Sequence, residues 1–465
     1  MSLPPVSPTP AALKFQNRES ELQAVLDSLA GPESARLFLL VAMPTMGKSM
    51  FLRQLQLELT GRQLPPHAIW TIDLEHAPQE ARTQLPMFLR ELYPSSKWLD
   101  PSQYHQELAA KVLESGLSCL MVIDNLHLLA PHVTLQLREI LGKAFRAYPT
   151  LPLTLVATSR VRIPEVMPPR PPANFRVMHL NHFDDHSIYN AVRESGDGSW
   201  PHLEVRNFVR EGTEGIPALL TPSLQWLRTH YPDGQSSLNA QQGRHFSDVV
   251  KPFIENALLS PTALLPLNLS PRSQQQLDRV HQSFATLALS TSIFRLLTRS
   301  HLKLIESEQN YSPLRSALAE LRAYGSPFDL YSAMPVVEPK LRNWCATYPC
   351  ARRLYFRYHH LSPESQSQAH NIADNLYRNW TGDMSLADNA QFHLERFWHV
   401  SELIRVTSSN DAPAQLLRRF DALLADVRTW RKFLPMFKSD RELQWSVESI
   451  KEGLYADVLT LLPSV

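Results

Sequence analysis

Five short apolar segments constrain the fold of this chain more than any other feature. They are Leu37–Val41, Ala68–Ile72, Cys119–Ile123, Leu153–Ala157 and Phe175–His179, separated by helical patterns or loops of crossover length. Near-continuous apolar runs of this length, often β-branched, form parallel strands covered by helices on both faces. Ligands of such sheets bind at the C-terminal ends of the strands, so the chemistry is to be sought there. Leu22, Val25, Leu26 and Leu29 recur at helical spacing, which predicts a helix over Glu21–Leu29 ahead of the first strand.

At 465 residues the chain is long enough for two to four domains. With 43% hydrophobic and 20% charged residues it can bury large cores, and wholesale disorder is ruled out. Lys and Arg number 46 against 45 Asp and Glu, a formal charge of +1. That balance excludes a generally basic nucleic-acid coat or an acidic solvating chain, though not a local patch. Three cysteines (Cys119, Cys345 and Cys350) cannot staple a fold of this size; Cys345 and Cys350 are close enough in sequence to pair, but reduced structural thiols are expected. The opening MSLPPVSPTPAALKF lacks a basic region followed by an apolar one, which argues against a signal peptide. The longest apolar run, Leu37 to Pro44, falls far short of the roughly 20 residues that span a bilayer. A cytoplasmic protein without a membrane partner is expected.

Ala42-Met-Pro-Thr-Met-Gly-Lys-Ser49 leaves the first strand and opens a helix. It fits the phosphate-loop pattern G-x-x-x-x-G-K-[ST] except at Ala42. Gly47 lets backbone N–H groups close on phosphates, Lys48 supplies a point charge, and Ser49 offers a hydroxyl to Mg²⁺. Glycine is scarce here (14 residues), which makes each one at a turn informative. About 75 residues on, an apolar strand ends in Asp124, placed to orient Mg²⁺ through its water shell. Asn125 follows it and cannot act as a base, having no carboxylate; Asp73 or Glu75 after the second strand could substitute, and both could equally be surface caps. A third strand end delivers Thr158, Ser159 and Arg160, of which Thr158 or Ser159 could sense a γ-phosphate and Arg160 could pair with it.

The order Phe15-Gln-Asn-Arg-Glu19, Ala42 to Ser49, Val122-Ile-Asp-Asn125, Val156-Ala-Thr-Ser-Arg160 and Gly215-Ile-Pro217 resembles the signal-transduction ATPases with numerous domains, the STAND class. It is most similar to the bacterial activator branch, where alanine at the first loop position is familiar. The resemblance covers about residues 14–230 and extends to a winged-helix region at about 246–345. It implies ATP or ADP with Mg²⁺ as the cofactors. Arg18 then lies near the adenine side, Pro44, Thr45, Met46, Gly47, Lys48, Ser49 and Met50 form the phosphate loop, and Pro217 packs the base from a helical lid. Lys48, Asp124 and Arg160 form the catalytic set, with Arg160 on the γ-phosphate, and Ser49 and Asp124 hold the metal. Two departures stand out. Tyr331-Ser-Ala-Met-Pro335 lacks the histidine with which immune-type members clamp ADP, and the sequence leads us to expect neither an N-terminal death, TIR or nuclease-like effector region nor a C-terminal DNA-reading helix-turn-helix.

The expected architecture is an α/β P-loop NTPase domain with a five-stranded parallel sheet, followed by a helical lid and winged-helix-like and mostly α-helical regions. The expected divisions are a flexible arm (1–13), the NTPase core (14–182), lid and linker (183–245), a winged-helix-like domain (246–345) and a helical recognition region (346–465). Lid helices are predicted at Asp184–Glu194, Pro201–Glu211 and Pro217–His230, with a polar linker over Pro232–Arg244. Arg352-Arg-Leu-Tyr-Phe-Arg357-Tyr-His-His360 mixes cations and aromatics in a way that suits nucleic acid. The same spacing suits an amphipathic helix with Leu354, Tyr355 and Tyr358 inward and its cations solvated, and that reading is preferred. Three functions fit: a nucleotide-switched signalling or defence scaffold acting slowly through an effector or sensor protein or a homo-oligomer; an AAA+-like DNA-transaction regulator; and a pseudo-ATPase scaffold. The Gly-Ile-Pro motif and Asn125 favour the first, with nucleic acid the lesser partner.

Overall fold

The computed structural model describes residues 18–30, 36–61, 67–94, 100–161, 163, 175–195, 200–231, 237–266, 269, 273–307, 311–339, 344–382, 389–407 and 410–463. The expected arm at 1–13 and Phe15 lie outside them. The chain divides into two compact units: the first runs to His281 and takes in Asp329–Val337, and the second comprises Gln282–Phe328 and the residues from Glu338 onward.

The first unit is built on five strands: β1 (Leu37–Val41), β2 (His67–Asp73), β3 (Ser118–Asp124), β4 (Leu153–Ser159) and β5 (Phe175–His179). All pair in parallel, in the order β2-β3-β4-β1-β5. Every segment expected from its apolar run is a strand. Those of β2, β3 and β4 continue onto polar residues at their C-terminal ends (Asp73, Asp124, Thr158 and Ser159), which an apolar pattern does not reach. One face buries Leu39, Val41, Met121, Ile123 and Leu155 against helices carrying Phe88, Leu89, Leu108, Val112, Leu137 and Leu141. On the opposite side Phe38, Leu40, Leu120, Val122 and Val156 are buried too, so both faces are covered, as near-continuous strands require.

From β1 the chain crosses to β2 at the far edge, returns through β3 and β4, and then passes over β1 to β5. The strand order therefore reverses at β1, and the crevice above the ends of β1 and β4 is the switch point where such sheets take ligands. Beyond β5, helices Asp185–Ser195, His202–Thr213 and Pro217–His230 share a core of Ile188, Val192, Val205, Val209, Leu220 and Leu227. Asp184 caps the first of them by accepting from Ser187 N–H at 2.8 Å.

The polar stretch expected as a linker is helical over Leu238–His245. Its few anchors suffice: Leu238 joins the lid core, and His245 Nε2 lies 3.0 Å from Ser223 Oγ. The helix then runs on through two π-turns, Phe246–Val250 and Ile254–Leu258. Residues 246–345, expected to form a winged-helix-like domain, fall across the division between the two units. A two-stranded sheet pairs β6 (Val337–Pro339) with β7 (Cys345–Thr347).

The second unit is helical around Asn389–Thr407, whose residues are buried on every side through Ile404. Its aromatics are core: Phe397, Phe420, Phe433 and Phe437 meet edge to face or tilted at 4.8–6.4 Å. The helix Pro349–His359 does turn Leu354 and Tyr355 inward, but Arg352 goes with them rather than into solvent. Its guanidinium pairs with Glu442 at 2.6 Å and stacks on Trp398 at 4.9 Å, because a partly buried acid and an aromatic face await it there. The three cysteines are buried, and none of them forms a disulfide. Among the described residues no helix is long and apolar enough to cross a membrane. The fold is an α/β P-loop NTPase domain followed by a mostly helical region.

Candidate functional site

The loop after β1 is shaped by two left-handed residues. Ala42 N–H still pairs with Ser159 C=O at 3.2 Å, and the chain then turns through Thr45 (φ 75°) and Gly47 (φ 82°) into the helix Lys48–Gly61. Glycine adopts this conformation freely, whereas Thr45 is a strained non-glycine, a feature that clusters at ligand sites. The Thr45 hydroxyl is buried and makes no hydrogen bond. Lys48 Nζ folds back over the loop and donates to the carbonyls of Ala42 (2.6 Å) and Met43 (2.9 Å). Burial, with Arg160 nearby, lowers its pKa to about 7, against the pull of Asp124. A cation so poorly compensated is stabilised by any anion that enters the loop.

The tip of β3 meets this loop. Ser49 Oγ donates to Asp124 Oδ2 at 2.9 Å, and Thr158 Oγ1 donates to the other oxygen, which also accepts Asn125 N–H at 3.0 Å. Thr158 thus orients the carboxylate from the neighbouring strand, while Ser159 Oγ turns back to Val161 C=O. Asn125 sits in left-handed geometry (φ 60°) and directs its amide at Asp73 Oδ1, 3.1 Å away. That contact follows from register, since β2 and β3 pair Asp73 with Asp124. The other Asp73 oxygen lies 2.6 Å from His76 Nδ1, and Glu75 N–H donates to Oδ1 at 2.9 Å. Burial pulls the Asp73 carboxyl up, but these hydrogen bonds outweigh it and hold the group below the usual carboxylate range.

Arg160, at the end of β4, spans the crevice. Its guanidinium lies 3.9 Å from Glu75 and donates to Thr262 C=O at 3.3 Å. Beneath it His127 accepts Arg160 N–H at 3.4 Å, with its Nε2 buried and unpartnered. Burial and the charges of Arg160 and Lys48 lower the His127 pKa to about 3, so the ring is neutral.

On the lid side, Gly215-Ile-Pro217 makes a turn that only glycine allows: φ is 72°, and a Cβ would stand 2.5 Å from the carbonyl oxygen of Phe183. Phe183 N–H returns a bond to Gly215 C=O at 2.7 Å, which straps the start of the lid to this turn. Pro217 opens the next helix, and Arg18 donates to Asn181 C=O while stacking on the Phe183 ring at 5.4 Å. A cleft of about 470 Å³ lies between. It is walled by Arg18, Phe183, Ala191, Pro217 and Leu220 at an apolar end, and by Pro44 to Met50 with Glu75, Asn125 and Arg160 at a polar end.

All the residues expected on the nucleotide side (Arg18, Pro44, Thr45, Met46, Gly47, Lys48, Ser49, Met50 and Pro217) line this one cleft, and Arg160 joins them. Asp124 stands behind Ser49, to which it is bonded. Thr158 and Ser159 do not line it. Sequence reasoning missed Phe183 and His127 as site residues; each adjoins a motif, but neither carries a spacing signal of its own.

No protein-family model matches the chain, and no curated protein matches it. Solved structures that resemble it include the Cdc6 protein of Pyrobaculum aerophilum, at 16% identity and a TM-score of 0.35, covering 75% of this chain and 96% of that one. A STAND protein with a tetratricopeptide repeat sensor from Pyrococcus horikoshii is 14% identical with a TM-score of 0.33. That alignment covers 98% of this chain and 59% of the other, so the chain spans under two thirds of that protein's length. The Orc1 protein of Aeropyrum pernix, solved in complex with DNA, is 11% identical with a TM-score of 0.35, covering 74% of this chain and 93% of that one. The fold class stands on the strand order and the loop after β1, which the chain shows by itself.

Proposed function

We propose that this protein is an ATP-binding molecular switch of the STAND type, serving signalling or defence through a partner protein or its own oligomer and hydrolysing ATP slowly. The observation that carries the reading is the single cleft in which the loop Pro44–Met50 meets Arg18, Phe183 and Pro217. The polar end suits phosphates, the apolar end suits a nucleobase, and one bound nucleotide would tie lid to sheet. Ser49 Oγ and Asp124 Oδ2, 2.9 Å apart, are hard oxygen ligands of the kind Mg²⁺ takes, so the donor set fits that ion. When bound, the metal neutralises phosphate charge.

Lys48 would meet the outer phosphates and Arg160 the γ-phosphate, which makes the site sensitive to the difference between ATP and ADP. The amide of Asn125 cannot take a proton from water, so turnover is slow unless another group at the cleft supplies the base. We assign 14–182 to the NTPase core, 183–245 to the lid and linker, 246–345 to a winged-helix-like connector and 346–465 to partner recognition. The second unit has its own apolar core around Phe397 and Phe433, as a separate recognition module needs. By linkage, a partner that prefers one nucleotide state is bound differently in the two.

Hydrogen exchange tests the switch. With ATP rather than ADP, the lid helix Pro217–His230 should change its protection, whereas identical exchange with both nucleotides contradicts the reading. Steep, salt-sensitive DNA affinity would move it to a DNA-transaction ATPase.

A further inference from the structure

Two carboxylates near the end of β2, Asp73 and Glu75, are placed to make up for the acid missing at Asn125, and the geometry separates them. Asp73 is spent. One oxygen receives Glu75 N–H and the Asn125 amide, the other meets His76, and the side chain does not line the cleft. Glu75 is the converse: its backbone is pinned while its carboxylate stays available. Asp73 holds its N–H at 2.9 Å, and Arg82 donates to its C=O at 2.7 Å. The side chain is about half exposed, lines the cleft beside Ser49 and Asn125, and has Arg160 at 3.9 Å as its charged neighbour.

We infer that Glu75 is the general base for ATP hydrolysis in this cleft, held in reserve by Arg160 until a γ-phosphate competes for that guanidinium. The inference rests on the reading of the cleft as an ATP site. A γ-phosphate brings negative charge to the Lys48 and Arg160 end, and Arg160 binds such groups through paired N–H donors. As Arg160 turns to the phosphate, Glu75 loses its partner and becomes free to accept a proton. The water oxygen then bonds to the γ-phosphorus while its proton passes to Glu75. The bond from that phosphorus to the β–γ bridging oxygen breaks, and its electron pair leaves with ADP. Inorganic phosphate is released, and Glu75 returns its proton to solvent. Asp73 is a positioning residue: its carboxylate holds the backbone N–H of Glu75 and the side-chain amide of Asn125.

The experiment compares the full-length protein with Glu75→Gln, reading Mg-ATP affinity by calorimetry and phosphate release under single-turnover conditions. Glu75 is exposed enough for the variant to fold, and its Tm should match that of the parental protein. Turnover should fall by about 10²-fold or more, the usual share of a general base. Affinity should hold or rise by up to about tenfold, because a carboxylate has left a cleft that receives phosphates. Loss of turnover without loss of binding is an outcome that a merely structural residue does not give. Parental turnover in Glu75→Gln overturns the inference, and its loss only in Asp73→Asn transfers the role to Asp73. A parental protein that binds ATP but never hydrolyses it overturns the role of Glu75 and leaves the ATP site standing. Failure to bind ATP at all removes both.

Discussion

Arg295→Ala is expected to destabilise the second unit by about 3–5 kcal/mol, the cost of breaking a buried ion pair from one side. Arg295 Nε and Nη2 donate to the two oxygens of Glu395 at 3.0 Å each, and Nη1 donates to both oxygens of Asp440 at 2.8 and 2.9 Å. The guanidinium also stacks on Trp398 at 5.1 Å. Burial opposes the charge, but Asp440 and Glu395 outweigh it and hold Arg295 charged. Removing the guanidinium leaves Glu395 almost wholly buried (1% exposed), with the Gln391 amide at 2.6 Å as its remaining donor among the described residues. Asp440 keeps a second task, accepting Leu443 N–H at 2.9 Å to cap the helix Arg441–Glu448, so the damage centres on Glu395. The midpoint of urea unfolding reads the effect. A loss below 1 kcal/mol would mean that water reaches this network and that the helix Asn389–Thr407 is not the centre of the unit.

A second large effect concerns pH. His370 is fully buried with its Nδ1 3.1 Å from His399 Nδ1, and His301 is packed among Trp344, Trp380 and Phe392. Burial lowers the pKa of His301 to about 4 and that of His370 to about 3. At His370, Glu402 opposes the shift, while Arg405, Arg352 and His360 reinforce it. Both rings are neutral in the fold, while unfolded histidine takes up a proton near pH 6.5. The unfolded state therefore binds more protons between about pH 6.5 and 4, and stability is full above that window and falls as the pH drops through it. Each ring contributes a slope of about 1.4 kcal/mol per pH unit, so the pair lowers stability by roughly 2–3 kcal/mol between pH 6 and 5. Urea midpoints at pH 7, 6 and 5 give the measurement. Equal midpoints would contradict neutral burial of these rings.

The elements that local pattern specifies were legible before the structure. Leu37–Val41 and Phe175–His179 are strands with those ends, and Pro217–His230 is a helix with both ends as expected. Gly47, Lys48 and Ser49 announced the phosphate loop because each does its work within one turn of chain. What stayed hidden depends on neighbours distant in sequence. The bond from Asn125 to Asp73 exists only because β2 and β3 pair in that register. Arg352 looked like a solvated cation on an amphipathic helix, since nothing nearby in sequence foretells Glu442, 90 residues away. Phe183 enters the cleft because the Gly215 turn folds back onto its backbone, a contact no periodicity encodes. Leu238–His245 is helical despite its polar composition, because tertiary anchors outweigh weak local preference.

The central claim is that Lys48 and its loop bind the phosphates of ATP. Calorimetric titration of the full-length protein and of Lys48→Ala with Mg-ATP tests it most directly. The lysine brings at least two charge-assisted hydrogen bonds, each worth about 1.5–3 kcal/mol. The parental protein should bind one ATP saturably, and Lys48→Ala should weaken binding by about 10²-fold or more. Equal affinity in the two proteins, or none in the parental one, would contradict the account.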